Sequence, residues 1–174
     1  MSKEKEATER GEQFSWRKLP LETRYKVGTG SLRSEIGAFR MLVFQLLGAE
    51  KGFEALIKFY AGMAHPAYQR AKAKGILKGN DIKDAAAFLC TFYDSEDISV
   101  EVEATEEMVR IQFNKHAPGL CPWGLPEGEP RLCCGTAWAR ELVKLINPKL
   151  RLHLSKTKRW GDDYCEEIIE WEKG

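Results

Sequence analysis

Apolar residues in the first half of the chain recur at three- and four-residue steps, and in much of the second half they alternate with polar ones. Ile36, Phe39, Val43, Leu46 and Leu47 keep helical spacing, Ser31 can cap the helix and Gly48 closes it. From about Glu50 to Lys74, the residues Phe53, Leu56, Ile57, Tyr60, Met63 and Ala64 share a face that ends at Gly75; Pro66 is expected to kink or divide this second helix. Asn80 or Asp81 starts a third, shorter helix through Ala85, Phe88, Leu89 and Phe92. Ahead of all three, Phe14, Trp16, Leu19, Leu21, Tyr25 and Val27 surround Pro20 and end at Gly28-Thr29-Gly30, which reads as a packed lead-in and a turn. That turn lacks the third glycine and the preceding strand of a dinucleotide-binding loop.

After Asp97 the period drops to two. Val100, Val102 and Ala104 alternate with acidic and polar residues, then Val109, Ile111 and Phe113 do the same, so a hairpin turning at Thr105 to Glu107 is expected. Pro118, Gly119, Pro122, Gly124, Pro126, Gly128 and Pro130 mark an irregular loop, and helical spacing returns from Leu132 to Ile146 before Asn147-Pro148 stops it. Leu150, Leu152 and Leu154 then open a second hairpin that turns at Gly161-Asp162-Asp163 and returns through Tyr164 to Trp171. The order of three helices, hairpin, loop, helix and hairpin predicts an α+β fold, with an antiparallel sheet of about four strands covered by helices on one face. Residues 1–13 are expected to be a flexible polar arm, and residues 14–174 a single domain.

Charge removes several function classes. With 27 Lys plus Arg against 26 Asp plus Glu, no global field draws the chain to nucleic acid or to an anionic membrane, so neither is expected as a partner. No apolar run reaches the ~20 residues of a membrane span, and the polar start Ser2-Lys3-Glu4-Lys5-Glu6 is unlike a secretion signal. Five cysteines, an odd number, with no export signal are read as free thiols or metal ligands in a cytoplasmic protein.

Chemistry concentrates in the C-terminal half. Cys134, Trp138, Leu142 and Ile146 follow one another at four-residue steps and should face the sheet, whereas Cys133 falls with Ala137, Glu141 and Lys144 on or near the more polar side. His116, Cys121, Cys134 and Cys165 all sit at element ends or in the connecting loop, and imidazole and thiolate are the usual zinc ligands. Their spacing contains no C-x-x-C pair, so zinc stays one candidate beside a nucleophilic thiol. Glu167 shares a strand face with Cys165 and Ile169. If those two point inward, Glu167 does too, and a buried carboxylate needs a partner such as His153 or an arginine, a raised pKa, or a polar ligand. A register slip near the chain end would turn it to solvent instead.

The segment Cys133-Cys134-Gly135 through the helix to Ile146-Asn147-Pro148, then Lys156-Thr157-Lys158 and Gly161-Asp162-Asp163-Tyr164-Cys165-Glu166, resembles the C-terminal half of the L-2-amino-thiazoline-4-carboxylic acid hydrolase family. It is also similar to the broader 4-vinyl reductase and Bet3-like domains. The resemblance implies a ligand-binding scaffold of helices on an antiparallel sheet, and for the hydrolases the opening of a thiazoline ring. It matches Cys165 to the family's cysteine after the turn, and Cys133 or Cys134 to the one at the helix start. Sensor relatives bind zinc with those cysteines and with a glutamate and a cysteine on the penultimate strand, where this chain has Leu154 and Thr157. Glu167 stands where the family has an aromatic residue.

Two functions follow as expectations. A hydrolase would use Cys121 or Cys134 as nucleophile or metal ligand and His116 or Glu167 to move protons, on a small heterocycle held by Trp123, Trp138, Cys133 and Cys165. Alternatively, the same pocket binds a small molecule or metal without turnover, as a sensor or interaction domain, and a homo-oligomer is compatible with that role.

Overall fold

The computed structural model describes residues 19–113 and 133–172, apart from the side chains of Cys134 and Trp160. The chain divides into two compact units, residues 1–35 and 36–174. A first helix, α1, spans Leu21–Leu47 and so runs through Gly28-Thr29-Gly30, where a turn was expected, and through Ser31, which is interior and caps nothing. Neither glycine has a positive φ, and the Thr29 hydroxyl donates back to the Tyr25 carbonyl at 3.0 Å. Glycine in a helix costs about 1 kcal/mol against alanine, too little to break one that continues on both sides.

In the second unit, α2 (Ala49–Ala73) closes in a Schellman motif: the Ile76 amide donates to the Ala71 carbonyl and the Gly75 amide to that of Lys72, with Gly75 at φ 64. Pro66 lies inside α2 without dividing it. Both Pro66 and Gly62, whose carbonyl loses its helical donor to the proline ring, are exposed, so water can take that bond. The third helix, α3 (Ile82–Ser95), starts with a capping box in which Asp81 and Asp84 each accept from the other's backbone amide.

Strands β1 (Val100–Ala104) and β2 (Met108–Phe113) form the first hairpin, and α4 (Cys134–Ile146) precedes the second, β3 (Leu150–Lys156) and β4 (Cys165–Trp171). The described strands form one antiparallel sheet in the order β1-β2-β4-β3. This is the α+β class expected from the pattern. Ile111 stands opposite Glu167, which stands opposite Leu154, so one layer of the inner face is set by three adjacent strands.

The core lies between that inner face and the helices. Leu89, Val109, Ile111, Leu142, Val143, Leu150 and Ile169 are all buried in it. The helix α4 is buried on nearly every side because α2 packs on it from one side and β3 from the other. Ala137, expected on a polar side, is therefore buried as well. Among the described residues no helix is long and apolar enough to cross a membrane.

Two substitutions test this arrangement. Replacing Gly28 and Gly30 with alanine should raise helix content in circular dichroism, whereas a loss of helix would restore the turn. Leu142→Ala should cost 2–5 kcal/mol in urea denaturation, the range for a fully buried leucine.

Candidate functional site

Alternation along β4 sends its two adjacent glutamates to opposite faces of the sheet, and the two environments treat them oppositely. Glu166 faces away from the helices. Ser155 donates to it at 2.6 Å and Gln112 at 2.7 Å, and the Arg110 guanidinium lies 3.5 Å away. Ser155 reaches it because a bulge between Leu154 and Lys156 re-aims the strand. Burial pushes the Glu166 pKa up, but the hydrogen bonds from Ser155 and Gln112 with the charge of Arg110 outweigh it and leave the group below its usual range.

Glu167 faces the core and is 1% exposed. Its Oε2 accepts from the Tyr93 hydroxyl of α3 at 2.5 Å, and its Oε1 from the Thr136 hydroxyl of α4 at 3.0 Å. Burial raises its pKa to about 7; the two hydroxyl bonds oppose that rise, the neighbouring Cys133 adds to it, and the positive charge of Arg140 works against it. The carboxyl therefore exchanges a proton near neutrality, and it ties α3, α4 and β4 together. Of the partners expected from the sequence, His153 is not one. It lies on β3 with its Nδ1 3.4 Å from Glu170, because it faces the other side of the sheet.

Around this carboxyl stand several groups. Tyr93 stacks on Phe113 with ring centroids 4.9 Å apart, and burial followed by the charge of Glu167 drives its pKa well above the usual value. Cys90, one turn earlier on α3, has its thiol pKa raised by burial and then by the same charge. Cys133 is the N-cap residue of α4, half-buried and packed against Leu56 of α2 rather than turned to a polar surface. Cys165 is buried with its Sγ 3.7 Å from the Thr157 hydroxyl. Trp138 packs tilted on Phe92 at 4.3 Å and belongs to the core.

His116, Cys121 and Trp123 lie outside the described residues, and of Cys134 only its place at the start of α4 is described. Among the described residues no three His, Cys, Asp or Glu side chains gather as metal ligands, so the zinc expectation finds no donor set there. Tyr93, Thr136 and Cys90 were missed by the sequence reading. A tyrosine four residues after Leu89 on an apolar helix face was the available signal, since a buried phenol needs an acceptor.

No protein-family model matches this chain, and no curated protein does. Solved structures do share its fold. A trafficking protein particle complex subunit 3 from Naegleria fowleri, covalently bound to palmitic acid, is similar with a TM-score of 0.61 and 16% identity, over 85% of this chain and 97% of that one. The phenol-responsive sensory domain of the transcription activator PoxR, solved with phenol, is similar with a TM-score of 0.53 and 11% identity, over 80% of this chain and 74% of that one. The named hydrolase family finds no support in these comparisons.

Because the folded pKa of Glu167 lies above its ordinary 4.5, the buried neutral acid favours the fold, and this contribution is complete below about pH 4.5 and lost as pH rises through about 7. The loss amounts to about 3 kcal/mol at most. Urea denaturation at about pH 5 and about pH 8 should show that decline in the wild type and not in Glu167→Gln. Equal declines in both proteins would assign the effect elsewhere.

Proposed function

We propose that this chain is a small-molecule-binding domain of the sensor or interaction kind. The ligand lies between the helices and the inner face of the sheet, its hydrogen-bond donor meeting Glu167. The observation that carries this reading is the fully buried carboxyl of Glu167, held among the described residues by the hydroxyls of Tyr93 and Thr136 in an apolar core. Such an arrangement costs several kcal/mol that a purely structural core would avoid, and convergent polar groups in apolar surroundings are the usual make-up of ligand sites. The fold supports it further, since one solved structure that shares it carries palmitic acid and another carries phenol.

One observation favours a second reading, hydrolysis of a small heterocycle. Cys133 interacts electrostatically with both Glu167 and Tyr93, so a thiol and a carboxyl able to exchange a proton near neutrality share one neighbourhood. His116, Cys121 and Cys134 would have to join them there, with Trp123 and Cys165 lining the substrate. Turnover is not needed for the first reading, which rests on fewer groups.

Calorimetric titration with 4-ethylphenol, an apolar body carrying one hydroxyl donor, tests the binding reading. Saturable binding is expected, weaker by about tenfold in Glu167→Gln at about pH 8, where the wild-type carboxyl is ionised and accepts a charge-assisted bond. Absence of binding, or equal affinity in the two proteins, would contradict it.

A further inference from the structure

The helix α1 carries more apolar surface than its contacts with α2 use. Between Ile36 and Leu47 its charged side chain is Arg40, buried with its guanidinium 4.8 Å from the centre of the Tyr60 ring of α2. Val43 and Phe44 pack on Leu56 of α2. Phe39, Met41, Leu42, Leu46 and Leu47 belong to the same apolar stretch and are exposed. A helical segment that is apolar all round is ordinarily covered all round.

The exposed positions of α1 are also periodic. Leu21, Tyr25, Gly28, Leu32, Glu35, Phe39, Leu42 and Leu46 follow one another at alternating steps of four and three residues along this one continuous helix. These steps average 3.5 residues, the repeat of a coiled-coil seam, and they are sustained for more than three heptads. All eight positions are exposed, the six large apolar ones by 40–73%. Apolar side chains scattered singly over a surface are ordinary, whereas a continuous seam at this repeat has the form of a surface that binds another helix.

The order of residues in the seam says which helix fits. Run antiparallel to a second copy of itself, with the two-fold axis between Arg33 and Ser34, the seam sets Leu21 opposite the second copy's Leu46 and Tyr25 opposite its Leu42. Gly28 then faces the second copy's Phe39, the bulkiest side chain of the seam. A side-chain carbon placed on Gly28 would meet nothing within 4 Å, so the ring has room there. Leu32 faces the second copy's Glu35, and Ser31 and Ala38, which flank the seam on one side, are small enough for close approach. A parallel pair would instead set Glu35 against Glu35, a like-charge layer, and Gly28 against Gly28, an empty one.

We propose that α1 is a homodimerisation element whose seam packs antiparallel on the same seam of a second copy of this chain. No seam residue belongs to the Glu167 site, so the dimer stands or falls apart from the ligand reading. A polar residue at one seam position, here Glu35, lowers the strength of such a pair and fixes its orientation.

Sedimentation velocity on the full chain tests this. The wild type should sediment as a dimer at about 100 μM. Leu46 is largely exposed within one chain, so Leu46→Glu should leave the circular dichroism of the fold intact while weakening the dimer about tenfold or more, because it sets a charge against the second copy's Leu21. Adding Leu21→Lys to Leu46→Glu should recover part of that loss, since in the antiparallel pair the new charges face each other. A double variant weaker than Leu46→Glu alone would overturn the antiparallel pairing, because only a parallel pair sets like charges together. A wild type that stays monomeric at about 100 μM would overturn the dimer itself without reference to any variant. So would a dimer that Leu46→Glu leaves unchanged.

Discussion

The arrangement depends on one carboxyl group kept out of water. Glu167 is enclosed where a strand of this pattern would ordinarily carry an apolar side chain, and its two oxygens take hydroxyl donors from two different helices. Each of the three elements supplies something the others need. The strand β4 provides the acceptor, α3 a phenol that would otherwise be an unsatisfied buried hydroxyl, and α4 a threonine that would otherwise face the core unpaired. Glu166, one residue away, shows what the carboxylate does when the sheet turns it outward: it gathers an amide, a hydroxyl and a guanidinium, and stays ionised.

The scaffold makes that enclosure possible. With α2 on one side of α4 and β3 on the other, α4 is held against the sheet over most of its surface, which fixes Thr136 over Glu167. The capping box at Asp81 fixes where α3 begins, and three turns on, that register delivers Tyr93 to the same point. The site is thus an outcome of element packing, with no short motif behind it. Its parts come from residues 93, 136 and 167, far apart in the chain.

Much of this was legible in the sequence. The change of period after Asp97 announced the hairpins, and Gly75, Asp81 and Asn147 marked helix ends that the structure repeats within a residue or two. Glu167 itself was visible as a polar residue on an inward-facing position, because alternation along a strand is strict. Its partners were not. Which helix residue meets a given strand residue depends on how layers stack, and local periodicity carries no information about that, so His153 or an arginine was expected as the partner; the hydroxyls of Tyr93 and Thr136 make the hydrogen bonds, and Arg140 acts on the carboxyl through its charge. Gly28 and Gly30 misled for a different reason: glycine lowers helix stability without forbidding it, so a local turn signal lost to the helix continuing on both sides. The buried Arg40, Lys158 and Arg159 went unread because their side chains are long and normally reach solvent.

The central claim is that Glu167 is a buried acid poised between its neutral and charged forms. A carbon-13 NMR titration of its side-chain carboxyl measures this directly. The account predicts a midpoint of about 7, with Tyr93→Phe shifting it upward because the hydroxyl that favours the charged form is gone. A midpoint at the ordinary 4.5, unmoved by that substitution, would contradict it.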